Sequence, residues 1–216
     1  CGKSLTAKVV GRFWGLPLLR LDLGSIFDGR SAPEEALRNA LQTSEALAPC
    51  VLWLDEIEKG FAQDSDGRAT RVLGSMLTWL QEKTSPVFMV ATANQVDALP
   101  PELLRKGRFD EIFFVDLPEI HERKEILSIH LRRRQRTLTQ AEIDTLAEKC
   151  EYFSGSELEQ VVVSAMYTAF AQKRDIHLED LLYAARDTVP LYRTYEETIK
   201  ALREWAAERA RPASKK

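Results

Sequence analysis

The sequence predicts a three-layer α/β fold built on a parallel sheet, followed by a small all-α domain. Apolar, strand-like runs at 17–23, 51–54 and 87–93 alternate with stretches whose apolar residues recur at helical spacing, the pattern of strand, helix, strand units. Two of those runs end in polar groups, Asp55-Glu56 and Asn94, at the carboxyl edge where open α/β sheets gather ligands. From Glu119 onward no strand-like run returns, and charged, helix-period sequence takes over. The expected division is 1–118 for the α/β part and 119–216 for the helical part.

The 216 residues, 44% hydrophobic and 29% charged, have the make-up of a globular protein with one sizeable core and room for a smaller attached domain. A net charge of -3 gives no overall attraction to nucleic acid. No apolar run approaches the roughly 18 residues of a membrane helix, so no membrane partner is expected. The cysteines, Cys1, Cys50 and Cys150, are odd in number and far apart, which points to a reducing, cytoplasmic setting rather than a disulfide framework. There is no initiator Met, and the sequence opens inside a motif; it reads as a fragment whose beginning lies upstream.

Cys1-Gly2-Lys3-Ser4 matches the last four positions of the phosphate-binding pattern G-x-x-x-x-G-K-[ST], in which backbone N–H groups close around phosphate, the lysine reaches its oxygens and the hydroxyl ligates Mg²⁺. The bland alternative is an exposed turn. Leu5, Val9 and Phe13 follow at helical spacing and place Lys3 at a helix amino terminus, which suits an anion. A strand over 17–23 is closed by Gly24, and Pro33 opens a helix that runs to Leu47 with Leu37, Leu41 and Leu47 on one face. Ala48-Pro49 then stops that helix before the central strand, Val51 to Leu54, whose unbroken apolar run suits burial on both faces.

Side chains leave an extended backbone in opposite senses, so Asp55 and Glu56 can take different tasks: Asp55 to hold Mg²⁺ and Glu56 to orient water. A salt-bridged strand end is the competing reading. Gln63 to Gly67 reads as a surface loop, and Val72, Leu73, Met76, Leu77 and Leu80 as a helix. Asn94, after the next strand, can bond water and phosphate together, or can simply end a strand by turn chemistry. Leu99 to Asp110 predicts a short helix carrying Arg105 and Arg108 on one side, as surface charges or as arginine fingers. A strand over 112–115 follows. Thr139-x-x-Glu142 and Ser154-x-x-Glu157 are capping boxes. Arg132, Arg133, Arg134 and Arg136 read as a solvated helix end; no aromatics interleave them, so nucleic acid is not a clear partner. Residues 211–216 read as a frayed tail.

In this order the motifs resemble those of the AAA+ ATPases, in the branch with paired arginine fingers. Gly2-Lys3-Ser4 is similar to the second half of Walker A, Leu54 to Glu58 to Walker B, Ala91 to Asn94 to sensor 1, Gly107 to Asp110 to the second region of homology, and Phe153 to Leu158 to sensor 2. Residues 46–53, 79–90 and 99–116 resemble more closely the hypothetical-reading-frame (ycf-type) AAA proteins of plastids and cyanobacteria. The resemblance implies a P-loop NTPase core whose amino-terminal strand is missing from this stretch, a helical lid, and an ATPase using ATP and Mg²⁺. It assigns Glu56, Asn94, Arg105 and Arg108 to catalysis, Gly2, Lys3, Ser4 and Leu5 to phosphate, Ile126, His130, Gly155 and Ser156 to the nucleoside, and Ser4 with Asp55 to metal. It further implies a homo-oligomeric ring, expected to be hexameric, acting on an unnamed protein client, in cytoplasm or plastid stroma. A low-turnover, ATP-gated scaffold and a nucleic-acid motor are the rival functions. The aromatic of peptide-threading pore loops is not seen at 28–33, and no H-E-x-x-H motif is present.

Overall fold

A computed structural model describes residues 2–27, 32–61, 67–105 and 107–214. The pore-loop stretch at 28–31 and most of the loop at 63–67 lie outside the described residues. The chain divides into two compact units, Gly2–Ile112 and a second beginning at Phe113.

In the first unit, β1 (Leu18–Asp22), β2 (Cys50–Asp55) and β3 (Val87–Ala91) form a parallel sheet in the order β1-β2-β3. β2 is central because its run Cys50–Leu54 has no polar side chain to solvate, and all five residues are buried. Cys50, Leu52 and Leu54 enter one core with residues of α2 (Leu23–Phe27), α3 (Pro33–Ala46) and α4 (Arg68–Glu82). Val51, Trp53 and Asp55 alternate to the other face, where α1 (Lys3–Trp14) packs on β2 and Lys8 reaches over the Trp53 ring. Parallel register sets Arg20 beside Trp53 and Asp22 beside Asp55, so these four share the α1 face. Gly60 packs so tightly on α2 that a Cβ there would stand 2.9 Å from Leu23 Cβ.

Several boundaries differ from the sequence reading. β1 stops at Asp22, and Gly24 lies inside α2 rather than closing a turn, since the Asp22 side chain accepts from the Gly24 N–H and starts the helix. β3 ends at Ala91, three residues before Asn94. The short helix expected from Leu99 is instead a set of turns with i→i+3 bonds, Leu103 N–H to Pro100 O and Leu104 N–H to Pro101 O. Pro100 and Pro101 bring no N–H to a helical ladder, and Gly107, at φ 87°, bends the chain away.

The second unit is helical: α5 (Ile120–Arg133), α6 (Gln140–Lys149), α7 (Gly155–Ala171), α8 (Leu178–Asp187), α9 (Leu191–Thr194) and α10 (Glu196–Arg209). Leu127, Leu131, Leu146, Leu158, Val161 and Leu181 are fully buried in one core drawn from α5 to α8. Both expected capping boxes form: Glu142 accepts from the Thr139 N–H at 2.8 Å, and Glu157 from the Ser154 N–H at 2.7 Å. Glu119 with Glu122 and His177 with Asp180 add two more.

The strand expected at 112–115 is reduced to β4 (Phe113–Phe114), and it pairs with β5 (Arg211–Pro212) rather than with the main sheet. The tail is therefore docked through residue 214. Ala213 N–H donates to Phe114 O at 2.9 Å, and Ser214 Oγ to Glu122 at 2.5 Å. Nearby, Arg203 forks onto Asp116 at 2.9–3.0 Å. Among the described residues, no helix is long and apolar enough to cross a membrane.

Candidate functional site

The carboxyl ends of β2 and β3 and the amino end of α1 gather Lys3, Ser4, Asp55, Glu56 and Asn94. Gly2, in the left-handed region at φ 95°, caps α1 without a side chain, so the first-turn N–H groups beside Lys3, Ser4 and Leu5 have no capping side chain over them. Lys3 Nζ donates to Asn94 Oδ1 at 2.6 Å, and Asn94 Nδ2 donates to Glu56 Oε1 at 3.1 Å. The other Glu56 oxygen pairs with Lys59, one turn on. Burial lowers the Lys3 pKa, an effect that Glu58 and Glu56 oppose.

Asp55 carries a second network. Its Oδ1 accepts from Thr92 Oγ1 at 2.8 Å and lies 3.4 Å from Ser4 Oγ, while Oδ2 accepts from Arg20 at 2.8 Å. Asp55 and Glu56 diverge for a reason other than the extended backbone expected from sequence. Glu56 is left-handed, at φ 50° and ψ 56°, and caps the 3-10 turn Ile57–Gly60. Ile57 N–H donates to Thr92 O and Glu56 N–H to Thr92 Oγ1, so Thr92 fixes this bend. Glu58, 5% exposed, accepts from the Asn94 N–H at 2.9 Å, and its Oε2 has no partner among the described residues. The sequence reading missed Arg20, Lys59, Thr92 and Glu58; an arginine inside an apolar strand and a second acid two places after Glu56 were the available signals.

The donor set suits Mg²⁺. A hydroxyl and a carboxylate are hard oxygen ligands, and among the described residues no group of His, Cys, Asp and Glu could hold a metal by itself. Mg²⁺ bound by one carboxylate ordinarily takes its remaining ligands from water and phosphate. Arg105 is exposed, and Arg108 donates to Leu77 O of α4 at 3.3 Å. Neither bonds to the acids. A cavity of about 720 Å³ between α3 and α4, floored by Leu37, Leu41 and Trp79, lies in the opposite layer and includes none of these residues.

In the second unit, His130 is mostly buried. Its Nδ1 lies 3.3 Å from Glu159, which also accepts from Arg134 at 2.9 Å. Burial lowers the His130 pKa against the pull of Glu159, leaving a neutral ring at neutral pH. Ile126 faces the amino end of α7, where a Cβ on Gly155 would sit 3.9 Å from its Cδ1. Ser156 is exposed and shares a hydrogen bond with Ser154. In the basic cluster, Arg134 pairs with Glu159, Arg136 with Asp175, and Arg132 donates to Ser128 O.

The ATPase family associated with various cellular activities (AAA) matches residues 1–117, and the AAA+ lid domain matches 131–182. The chain belongs to the AAA family. It is 48% identical over 220 residues to the uncharacterized AAA domain-containing protein ycf46 of Pyropia yezoensis, covering 99% of this chain and 45% of that protein. The ycf46 protein of Trieres chinensis is 46% identical over 222 residues, covering 100% and 45%. The chain thus spans a little under half the length of these curated relatives. Among solved structures, the FIGL-1 AAA domain in complex with ADP superposes with a TM-score of 0.81 at 18% identity, over 97% of this chain and 75% of that one, and has the same AAA fold. Family membership supports nucleotide binding and ATPase chemistry as the general activity.

Proposed function

We propose that the protein binds ATP with Mg²⁺ at the rim of the first unit's sheet and hydrolyses it to remodel a protein partner as a ring-shaped oligomer. One observation carries this reading: a lysine at a helix amino terminus, an amide and an acid, brought from three separate segments, form one hydrogen-bonded chain, Lys3 to Asn94 to Glu56, beside the Ser4–Asp55 pair. A triphosphate displaces that chain. Lys3 turns to phosphate oxygens, and the N–H groups of Gly2, Lys3, Ser4 and Leu5 face the same charge. Ser4 and Asp55 would hold the metal, which would supply positive charge against the phosphates. Glu56, released from Asn94, accepts the proton of the attacking water, and Asn94 orients that water against the γ-phosphate.

Arg105 and Arg108 act on the nucleotide of a neighbouring subunit, where a guanidinium stabilises charge on the transferring group. Ile126, His130, Gly155 and Ser156 flank the nucleoside on the lid. The neutral His130 ring contributes a hydrogen bond rather than a charge. The setting is cytoplasm or plastid stroma.

A specific observation favours a second reading, the low-turnover scaffold: both Glu56 oxygens are engaged, one by Asn94 and one by Lys59. The deciding experiment uses the intact protein. ATPase hydrolysis should fall about a hundredfold or more in Glu56→Gln with nucleotide binding kept. In Lys3→Ala, binding itself should weaken about tenfold to a hundredfold. A wild-type rate as low as that of Glu56→Gln, with binding intact, selects the scaffold. Binding unaffected by Lys3→Ala removes the site.

A further inference from the structure

Arg20 has no part in the function proposed above, yet it makes a charged contact, at 2.8 Å, to the acid assigned to the metal. Its guanidinium comes from β1, stands 5.0 Å from the centre of the Trp53 ring, and donates to Asp55 Oδ2 at 2.8 Å. The strand register makes this contact repeatable rather than incidental, because Arg20 pairs with Trp53 and therefore lies two places before the residue beside Asp55. The Asp55 side chain is 12% exposed and that of Arg20 57%, so the acid is fixed in the rim while the cation approaches it from the solvent side.

Asp55 does not need Arg20 to hold its orientation. Thr92 already fixes Oδ1 at 2.8 Å, and Thr92 is itself tied to the backbone of Leu54 and Ile57. What Arg20 supplies is charge. A guanidinium is always protonated, and the cation–π attraction of the Trp53 face helps to hold it over the ring.

We infer that Arg20 is a resident counter-cation that competes with Mg²⁺ for Asp55 and so raises the metal concentration at which nucleotide is held. This rests on the ATP and Mg²⁺ reading of the site. With Arg20 in place, the charge of Asp55 is balanced by a hydrogen-bonded cation when no metal is bound. Metal must then be bound against a positive charge already seated on its carboxylate. Arg20 is a positioning residue here; it touches Asp55 and not the reacting atoms.

The test is a Mg²⁺ titration of the intact protein with a fluorescent ADP analogue, read by nucleotide binding rather than turnover. Arg20→Met keeps an apolar stem over Trp53 and removes the charge. The half-saturating Mg²⁺ should fall about three- to tenfold, and the gap from wild type should narrow as salt is raised. Analogue binding in EDTA should be nearly unchanged, which a merely structural defect would not leave intact. Arg20→Lys should fall between the two, since it keeps the charge and loses the fork of guanidinium donors. Lys8→Met is the control, because Lys8 also stands over Trp53, at 5.7 Å from its centre, and makes no bond to Asp55; it should shift the half-saturation less than about twofold. An unchanged or raised Mg²⁺ requirement in Arg20→Met overturns the inference, as does an equal shift in Lys8→Met. If the wild type shows no Mg²⁺-dependent binding at all, the reading of the site falls first and this inference with it.

Discussion

Polar side chains serve opposite ends at the rim of the first unit and at the helix ends of the second. In the second unit they are satisfied locally: Thr139, Ser154 and His177 each exchange bonds with a residue three places on. At the rim they are satisfied by partners from distant segments, as in Lys3 with Asn94, Arg20 with Asp55, and Asn94 with Glu58. A local cap is formed by the helix it starts and adds to its stability. A long-range polar contact open to solvent, as Lys3–Asn94 and Arg20–Asp55 are, contributes little to folding, because water replaces it at small cost. Its value lies in holding groups ready for exchange with a ligand.

That contrast can be broken or sharpened by four measurements, taken from the largest expected loss of stability to the smallest. Leu158→Ala removes a fully buried side chain from the helical core and should cost about 2–5 kcal/mol in urea unfolding. It sets the scale of an apolar loss in the same unit. Asp180→Asn comes next. Asp180 is nearly buried, takes two bonds from Arg174 at 2.6 Å and accepts from the His177 N–H, so its loss should cost about 1.5–3 kcal/mol at neutral pH.

The same carboxyl predicts a pH dependence. Arg174, above all, lowers the Asp180 pKa below its usual 3.8. Unfolded, the group therefore binds a proton at higher pH than it does folded, so its contribution is complete above that usual value and is lost as pH falls through the lower folded value. Urea midpoints of the wild type should drop on acidification below about pH 4, and Asp180→Asn should show a shallower drop. Equal slopes would mean the Arg174 pair does not set this part of the profile.

Ser154→Ala removes a side-chain cap and should cost about 1 kcal/mol, visible as a lower urea midpoint. Asn94→Ala should change stability least, by about 0.5 kcal/mol or less, while lowering ATP turnover about tenfold or more. Should Asn94→Ala destabilise the protein more than Ser154→Ala, the division of labour between rim and helix end would be wrong.

The same division explains which parts of the structure could be read from the sequence. β2 was legible because an uninterrupted apolar run has one comfortable environment, and the boxes at Thr139 and Ser154 because their partners are three residues away. That Asp55, Glu56 and Asn94 share an edge followed from parallel strands alone. Glu56 was misjudged in detail: its left-handed conformation depends on Thr92, the residue just past the end of β3. Arg20 was passed over since only register, not spacing along the chain, brings it to Asp55. The turns at 100–104 defeated a helical reading because two prolines that can open a helix also deny it donors. Phe113–Phe114 looked like one more rung of the main sheet, and nothing near it in sequence announced a partner almost a hundred residues later.

The meeting of β4 with β5 makes the second unit a cassette. The chain's way in and its way out lie side by side, bolted by Ala213 on Phe114 and by Ser214 on Glu122. Residues almost a hundred apart are thereby tied to one another, and a pull on either segment meets the clasp before it reaches the helices.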